Sequence, residues 1–100
     1  MRLHDVNIPE DRLAEFCARH GVSKLSVFGS ILRDDFGPQS DVDVLVEFPR
    51  GGTPSLLVLG GMLMELREML GRDVDLLTPG AISPLFRDRV MSRLRTLYAA

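Results

Sequence analysis

Leu25-Ser26-Val27-Phe28-Gly29-Ser30-Ile31-Leu32-Arg33-Asp34-Asp35-Phe36-Gly37-Pro38-Gln39-Ser40-Asp41-Val42-Asp43-Val44-Leu45-Val46-Glu47-Phe48 is the stretch around which the chain is organised. An apolar run ends at Gly29-Ser30, ten residues intervene, and Ser40-Asp41-Val42-Asp43 opens a second apolar run. Two strands joined by a turn are expected. In the second, alternation sets Val42, Val44, Val46 and Phe48 on one face and Asp41, Asp43, Leu45 and Glu47 on the other. Asp41 and Asp43 then project together, about 6.6 to 7 Å apart along the strand. Paired carboxylates beside a buried strand are costly unless a positive group compensates them, and Mg²⁺ prefers such hard oxygen ligands.

Gly29-Ser30 supplies the complementary half. A glycine that ends a strand before a helical turn lets a phosphate approach the backbone, where free N–H groups, the Ser30 hydroxyl and the helix dipole favour an anion. A phosphate cradle facing carboxylates that hold one or two Mg²⁺ ions describes a nucleoside triphosphate site. Arg33, one turn on, can meet a phosphate or simply pair with Asp34, Asp35 or solvent.

Gly29-Ser30, ten residues and Asp41-x-Asp43, with Arg33 and Ser40 between, resemble the signature of the minimal nucleotidyltransferases, small relatives of the DNA polymerase β superfamily. The resemblance runs from about Leu13 to Tyr98, with Asp34 standing where many members carry glycine. It implies an α/β (α+β) nucleotidyltransferase fold, a small mixed sheet of three or more strands flanked by about four helices. It also implies metal-binding and catalytic roles for Asp41, Asp43 and Asp75, the last from Val74-Asp75-Leu76, and nucleotide contacts from Gly29, Ser30, Arg33 and Ser40. Members commonly act as antitoxins that transfer AMP from ATP to a tyrosine of a HEPN ribonuclease toxin. ATP, Mg²⁺ and such a toxin are therefore the implied substrate, cofactor and partner.

One hundred residues, 45% hydrophobic and 26% charged, suit a single globular domain, 1–100, with one modest core. The lone Cys17 has no internal disulfide partner, no run reaches membrane-spanning length, and the N-terminal residues lack a secretion signal's apolar segment. A cytoplasmic protein is expected. A net charge of −2 disfavours a polymeric nucleic-acid substrate.

Elsewhere, Pro9-Glu10-Asp11 marks a helix start, Leu13, Phe16, Cys17 and His20 follow at helical spacing, and Gly21 is a stop. His20 is expected to be structural or solvated, and His4 to lie in a mobile segment. Val22 to Phe28 is the first strand; Ile31 to Phe36 can form a helical turn before Gly37-Pro38. Gly51-Gly52 lies in a loop, either a plain connection or a flap over the nucleotide. Ser55 can cap a helix whose apolar stripe is Leu56, Leu59, Leu63, Leu66 and Leu70, with Gly60-Gly61 permitting close contact with the sheet or a partner. Met62, Met64 and Met69 are fillers of a core or an interface.

Arg72 to Leu77 is a third strand, with Asp73 a solvated neighbour of Asp75. A last helix begins at Ser83-Pro84 with the stripe Phe86, Val90, Leu94 and Leu97, though Thr96-Leu97-Tyr98 can instead be an edge strand. Arg87, Arg89, Arg93 and Arg95 fall outside that stripe, as a solvated face or as contacts to a nucleotide tail or acidic partner. No acceptor-binding domain is evident, so a protein acceptor is expected. The rivals are a non-catalytic module that occludes its partner and a transferase acting on a small molecule.

Overall fold

In the computed structural model, which describes residues 1–50 and 52–100, the elements are β1 (Arg2–Leu3), β2 (Val6–Asn7), α1 (Glu10–His20), β3 (Lys24–Phe28), a 3₁₀ turn (Gly29–Leu32), β4 (Val42–Glu47), α2 (Leu56–Leu70), β5 (Val74–Leu77), a second 3₁₀ turn (Pro79–Ala81), α3 (Pro84–Met91) and β6 (Arg95–Ala99). The expected α/β class holds, with three α-helices and two 3₁₀ turns where about four helices were expected. Gly51 of the loop pair lies outside the described residues.

Four strands form a mixed sheet in the order β5-β4-β3-β6. The β3–β4 pair is antiparallel with Phe28 opposite Asp43, and β4–β5 is parallel with Asp43 opposite Asp75. Leu25, Val27, Val42, Val44, Val46 and Val74 join Phe16 and Cys17 of α1 and Met62 and Leu66 of α2 in the core. The opposite face carries Ser26, Phe28, Asp43, Leu45, Glu47 and Asp75, as the registers require. Burial pushes the Cys17 thiol up to about 12, so it remains a neutral core side chain.

Local chemistry explains the helix ends. Gly21 and Gly71 adopt left-handed φ of 70° and 65° and close α1 and α2, while the Ser55 side chain accepts from the Val58 N–H at 3.3 Å. His20 ends α1 against Phe16 and meets Glu65 of α2, a structural role. Among the described residues no helix is long and apolar enough to cross a membrane.

Several expectations are corrected. His4 is not mobile: in the turn between β1 and β2, its Nε2 lies 3.0 Å from the Ile31 carbonyl and its ring stacks on Phe36. The first strand begins at Lys24: the Val22 N–H still closes the α1 end on the Cys17 carbonyl, and the Ser23 N–H meets the Glu47 carbonyl at the end of β4. The α2 stripe is oblique: Met62, Leu66 and Leu70 are buried, but Leu56 is 86% exposed. A side-chain carbon on Gly60 or Gly61 would meet nothing within 4 Å, so neither glycine serves tight packing on the sheet. Met62 is core filler while Met64 is exposed. The last helix stops at Met91, and Leu97 packs against the core from the edge strand β6.

One side chain fastens the N-terminal hairpin to the turn before β4. Arg72, 14% exposed, donates to Asp5 at 2.9 Å and to the Gly37 and Ser40 carbonyls at 2.7 Å each, with its guanidinium 4.6 Å from the Phe36 ring centre. Arg72→Ala leaves the Ser40 carbonyl without its donor and the Gly37 carbonyl with only the Ser40 N–H, and is expected to cost about 2–4 kcal/mol, read as a lower urea midpoint. Arg72→Lys is not expected to restore it, since an ammonium lacks the fork that spans both carbonyls.

Candidate active site

The geometry starts from Gly29, where β3 gives way to its 3₁₀ turn at φ +75°. A side-chain carbon there would overlap Asp43 Oδ2 and lie 3.3 Å from Asp43 Cγ. The carboxylate of the middle strand is thus packed against the backbone of the turn, an approach that only glycine permits. Ser30 follows on the same turn, half-buried, and its hydroxyl has no hydrogen bond among the described residues. Backbone amides, a hydroxyl and a carboxylate share one rim.

Asp75 sits beside Asp43 because the parallel β4–β5 register pairs them. Asp43 is half-buried while Asp75 and Asp41 are exposed. Burial first, then the charges of Asp75 and Asp41, push the Asp43 carboxyl above its ordinary 3.8; Arg33 opposes this, and Asp75 within hydrogen-bonding reach adds to it. Both other predicted acids therefore act on Asp43. They do not form a closed cage: among the described residues no three Asp, Glu, His or Cys side chains converge closely enough to hold a metal ion by themselves.

The remaining predicted residues divide. Arg33 stands at the mouth beside Gly29, its Nε paired with Asp35 at 3.1 Å in an exposed contact that contributes little. Ser40 is spent on structure: its Oγ accepts from the Gly37 N–H at 3.0 Å and its carbonyl from Arg72. Ser40 and Asp41 also line a separate cleft of about 420 Å³ with Arg67, Arg72 and Asp73. Asp73 is exposed, as expected of a solvated neighbour.

Arg89 and Arg93 were not assigned to the site by sequence reasoning, yet they line a cavity of about 380 Å³ with Phe28, Gly29, Arg33 and Val90. The signal was the cluster of four arginines, which sequence alone could not divide. The structure divides it. Arg87 donates to the Pro79 and Ile82 carbonyls at 3.2 and 3.1 Å and anchors α3, and Arg95 lies on β6.

Because the fold binds a proton on Asp43 more tightly than the unfolded chain does, this group costs stability progressively as pH rises from 3.8 through its raised folded value. In metal-free buffer at pH 7, Asp43→Asn is expected to melt above the wild type, and the gain should vanish in acid once both forms are neutral. Thermal melts across pH check this. Gly29→Ala is expected to lose about 1–2 kcal/mol from the left-handed backbone alone and more from displacing Asp43, seen as a lower denaturant midpoint.

The comparisons with known proteins agree with this geometry. The model of the nucleotidyltransferase domain family matches residues 10–97. A candidate protein adenylyltransferase of Methanocaldococcus jannaschii is 40% identical over 88 residues, 88% of this chain and 92% of that protein. A solved candidate minimal nucleotidyltransferase superposes with a TM-score of 0.70 at 32% identity, covering 86% of each chain. At 19% identity, where only the fold is informative, a chain of the complex of tri-AMPylated Shewanella oneidensis HEPN toxin with MNT antitoxin gives 0.66, covering 91% of this chain and 70% of that one. With the family model matching residues 10–97, this chain belongs to the nucleotidyltransferase domain family, in its minimal nucleotidyltransferase branch.

Proposed function

We propose that this chain is an Mg²⁺-dependent protein adenylyltransferase, a cytoplasmic protein folding as one domain, that transfers AMP from ATP to a tyrosine hydroxyl of a HEPN ribonuclease toxin and so acts as its antitoxin. The observation that carries the chemistry is the Asp43 carboxylate seated against Gly29 with Asp75 beside it. The names of the relatives, one for protein adenylylation and one for AMP on a HEPN toxin, support the nucleotide and the acceptor.

The donor set fits Mg²⁺. That ion is usually held by one or two carboxylates with phosphate oxygens and water completing the shell, so an open pair suits it better than a closed cage. The crowding that raises Asp43 is what a divalent cation would relieve. Asp43 and Asp41 would hold it, with Asp75 on the acceptor side. Bound there, Mg²⁺ would supply positive charge against the triphosphate as pyrophosphate departs.

The chain's own residues do the rest. Gly29 keeps the turn free of side chain so that a phosphate can lie on its amides, and the Ser30 hydroxyl can donate to a phosphate oxygen. Arg33 needs only to leave its exposed contact with Asp35 to reach the same anion. As the acceptor oxygen bonds to the α-phosphorus and the bond to pyrophosphate breaks, the exposed Asp75 carboxylate is placed to receive the hydroxyl proton.

One observation favours a second, binding role: Leu56, Leu57 and Leu85 are 86%, 87% and 87% exposed, as suits a protein that docks on a partner. Intact mass measurement of the co-expressed partner after incubation with ATP and Mg²⁺ separates the two. Addition of one or more AMP units is expected with the wild type and not with Asp41→Asn/Asp43→Asn, which should remain folded. An unmodified partner that is still bound and inhibited would replace the transferase reading with occlusion.

A further inference from the structure

The last helix carries guanidinium groups that the site described so far does not use. Arg89 lies in the final turn of α3 and Arg93 follows four residues later, just past the Ser92 cap where the Arg93 N–H bonds to the Val90 carbonyl. That spacing keeps both on one side of the element. Both are exposed, and among the described residues neither guanidinium has a hydrogen bond or ion-pair partner. Their neighbour Arg87 is spent on two carbonyls and holds α3 to the turn before it.

These two free cations, with Arg33, line the cavity of about 380 Å³ whose remaining walls are Phe28, Gly29 and Val90. No acid lines it. Gly29 lines this cavity and Asp43 is packed against the same glycine, so a carboxylate and the arginines share one turn. A polyanion laid across Gly29 would have one end at the acids, where only a cation could accommodate it, and the other among three arginines. The volume lies within the range of small-ligand pockets.

We propose that Arg89 and Arg93, together with Arg33, grip the terminal phosphates of the nucleoside triphosphate, so that α3 forms a wall of the nucleotide site and selects triphosphate over monophosphate. This rests on the transferase reading and adds residues to it. Guanidinium forks suit the task, since each can meet two phosphate oxygens at once. The weak Arg33–Asp35 contact leaves the third arginine available when the anion arrives.

Calorimetric titration of the intact chain with ATP, ADP and AMP in Mg²⁺ buffer tests the assignment. Wild type is expected to bind ATP more tightly than AMP. Arg89→Ala/Arg93→Ala should lose about tenfold to a hundredfold in ATP affinity while AMP affinity changes by less than about threefold. Arg89→Lys/Arg93→Lys should recover part of the loss. Unchanged thermal melts are expected, because both side chains are exposed and unpartnered.

Equal losses for ATP and AMP, or wild-type ATP affinity in the double alanine variant, would overturn the assignment. Wild-type ATP affinity with loss of partner binding would overturn it too and give the arginines to an acidic protein surface. If the wild-type chain itself bound no nucleotide, the transferase reading would fall, and this inference with it.

Discussion

A carboxylate packed against a glycine is the constraint on which the rest of the structure depends. Asp43 can occupy its place only because residue 29 has no side chain and holds φ +75°. That contact requires β3 to end at Phe28, directly opposite Asp43. A slip of one residue in either strand would turn Asp43 into the core and a valine out of it. The parallel register with β5 then sets Asp75 alongside. Asp43, half-buried, is thereby set beside the exposed Asp75 and within the field of Asp41, so the fold carries unrelieved repulsion on Asp43 at the place where the proposed chemistry needs it.

Arginines divide into two kinds around this centre. Arg72 and Arg87 are consumed by backbone carbonyls: one fastens the N-terminal hairpin to the turn at Gly37 to Ser40, the other fastens α3 to the turn at Pro79 to Ile82. Both are structural pins that position walls of the site without facing its centre. Arg33, Arg89 and Arg93 keep their charge at the surface, where a guanidinium is well solvated and easily redirected. The exposed ion pair of Arg33 with Asp35 belongs to this second kind despite its short distance.

Much of the centre was legible because it depends on short-range rules. Alternation in Val42 to Glu47 fixed the face that carries Asp43, Leu45 and Glu47, and glycine or serine at element ends announced α1, α2 and the turn at Gly29. What stayed hidden depends on partners distant in sequence. The hairpin of Arg2–Leu3 and Val6–Asn7 is too short for any periodicity and exists through Arg72 and the stacking of His4 on Phe36. Whether the last apolar stripe ran on through Leu97 as helix or left it as an edge strand stayed open in the sequence, and the edge of β3 decides it by taking Arg95–Ala99 as a strand. Ser40, placed beside the phosphate by resemblance, has its hydroxyl already committed to the Gly37 amide.

Net charge was the least informative number in the sequence. A value of −2 argues against a long polyanion, but interactions between exposed charges fade over about 8–10 Å at physiological salt, so a site responds to its own neighbours and not to the total. Here acids and bases meet at one glycine, with Asp43 packed against Gly29 and paired with Asp75, and with Arg33, Arg89 and Arg93 lining a cavity that Gly29 also lines. A triphosphate approaching this rim meets attraction from the arginines without help and repulsion from the carboxylates unless a cation accompanies it. The acids alone cannot hold the anion, and the arginines alone would hold it in no defined orientation along the strand. Together, in the proposed site, they would fix which end of the nucleotide lies next to Asp75, whose place beside Asp43 is set by the β4–β5 register.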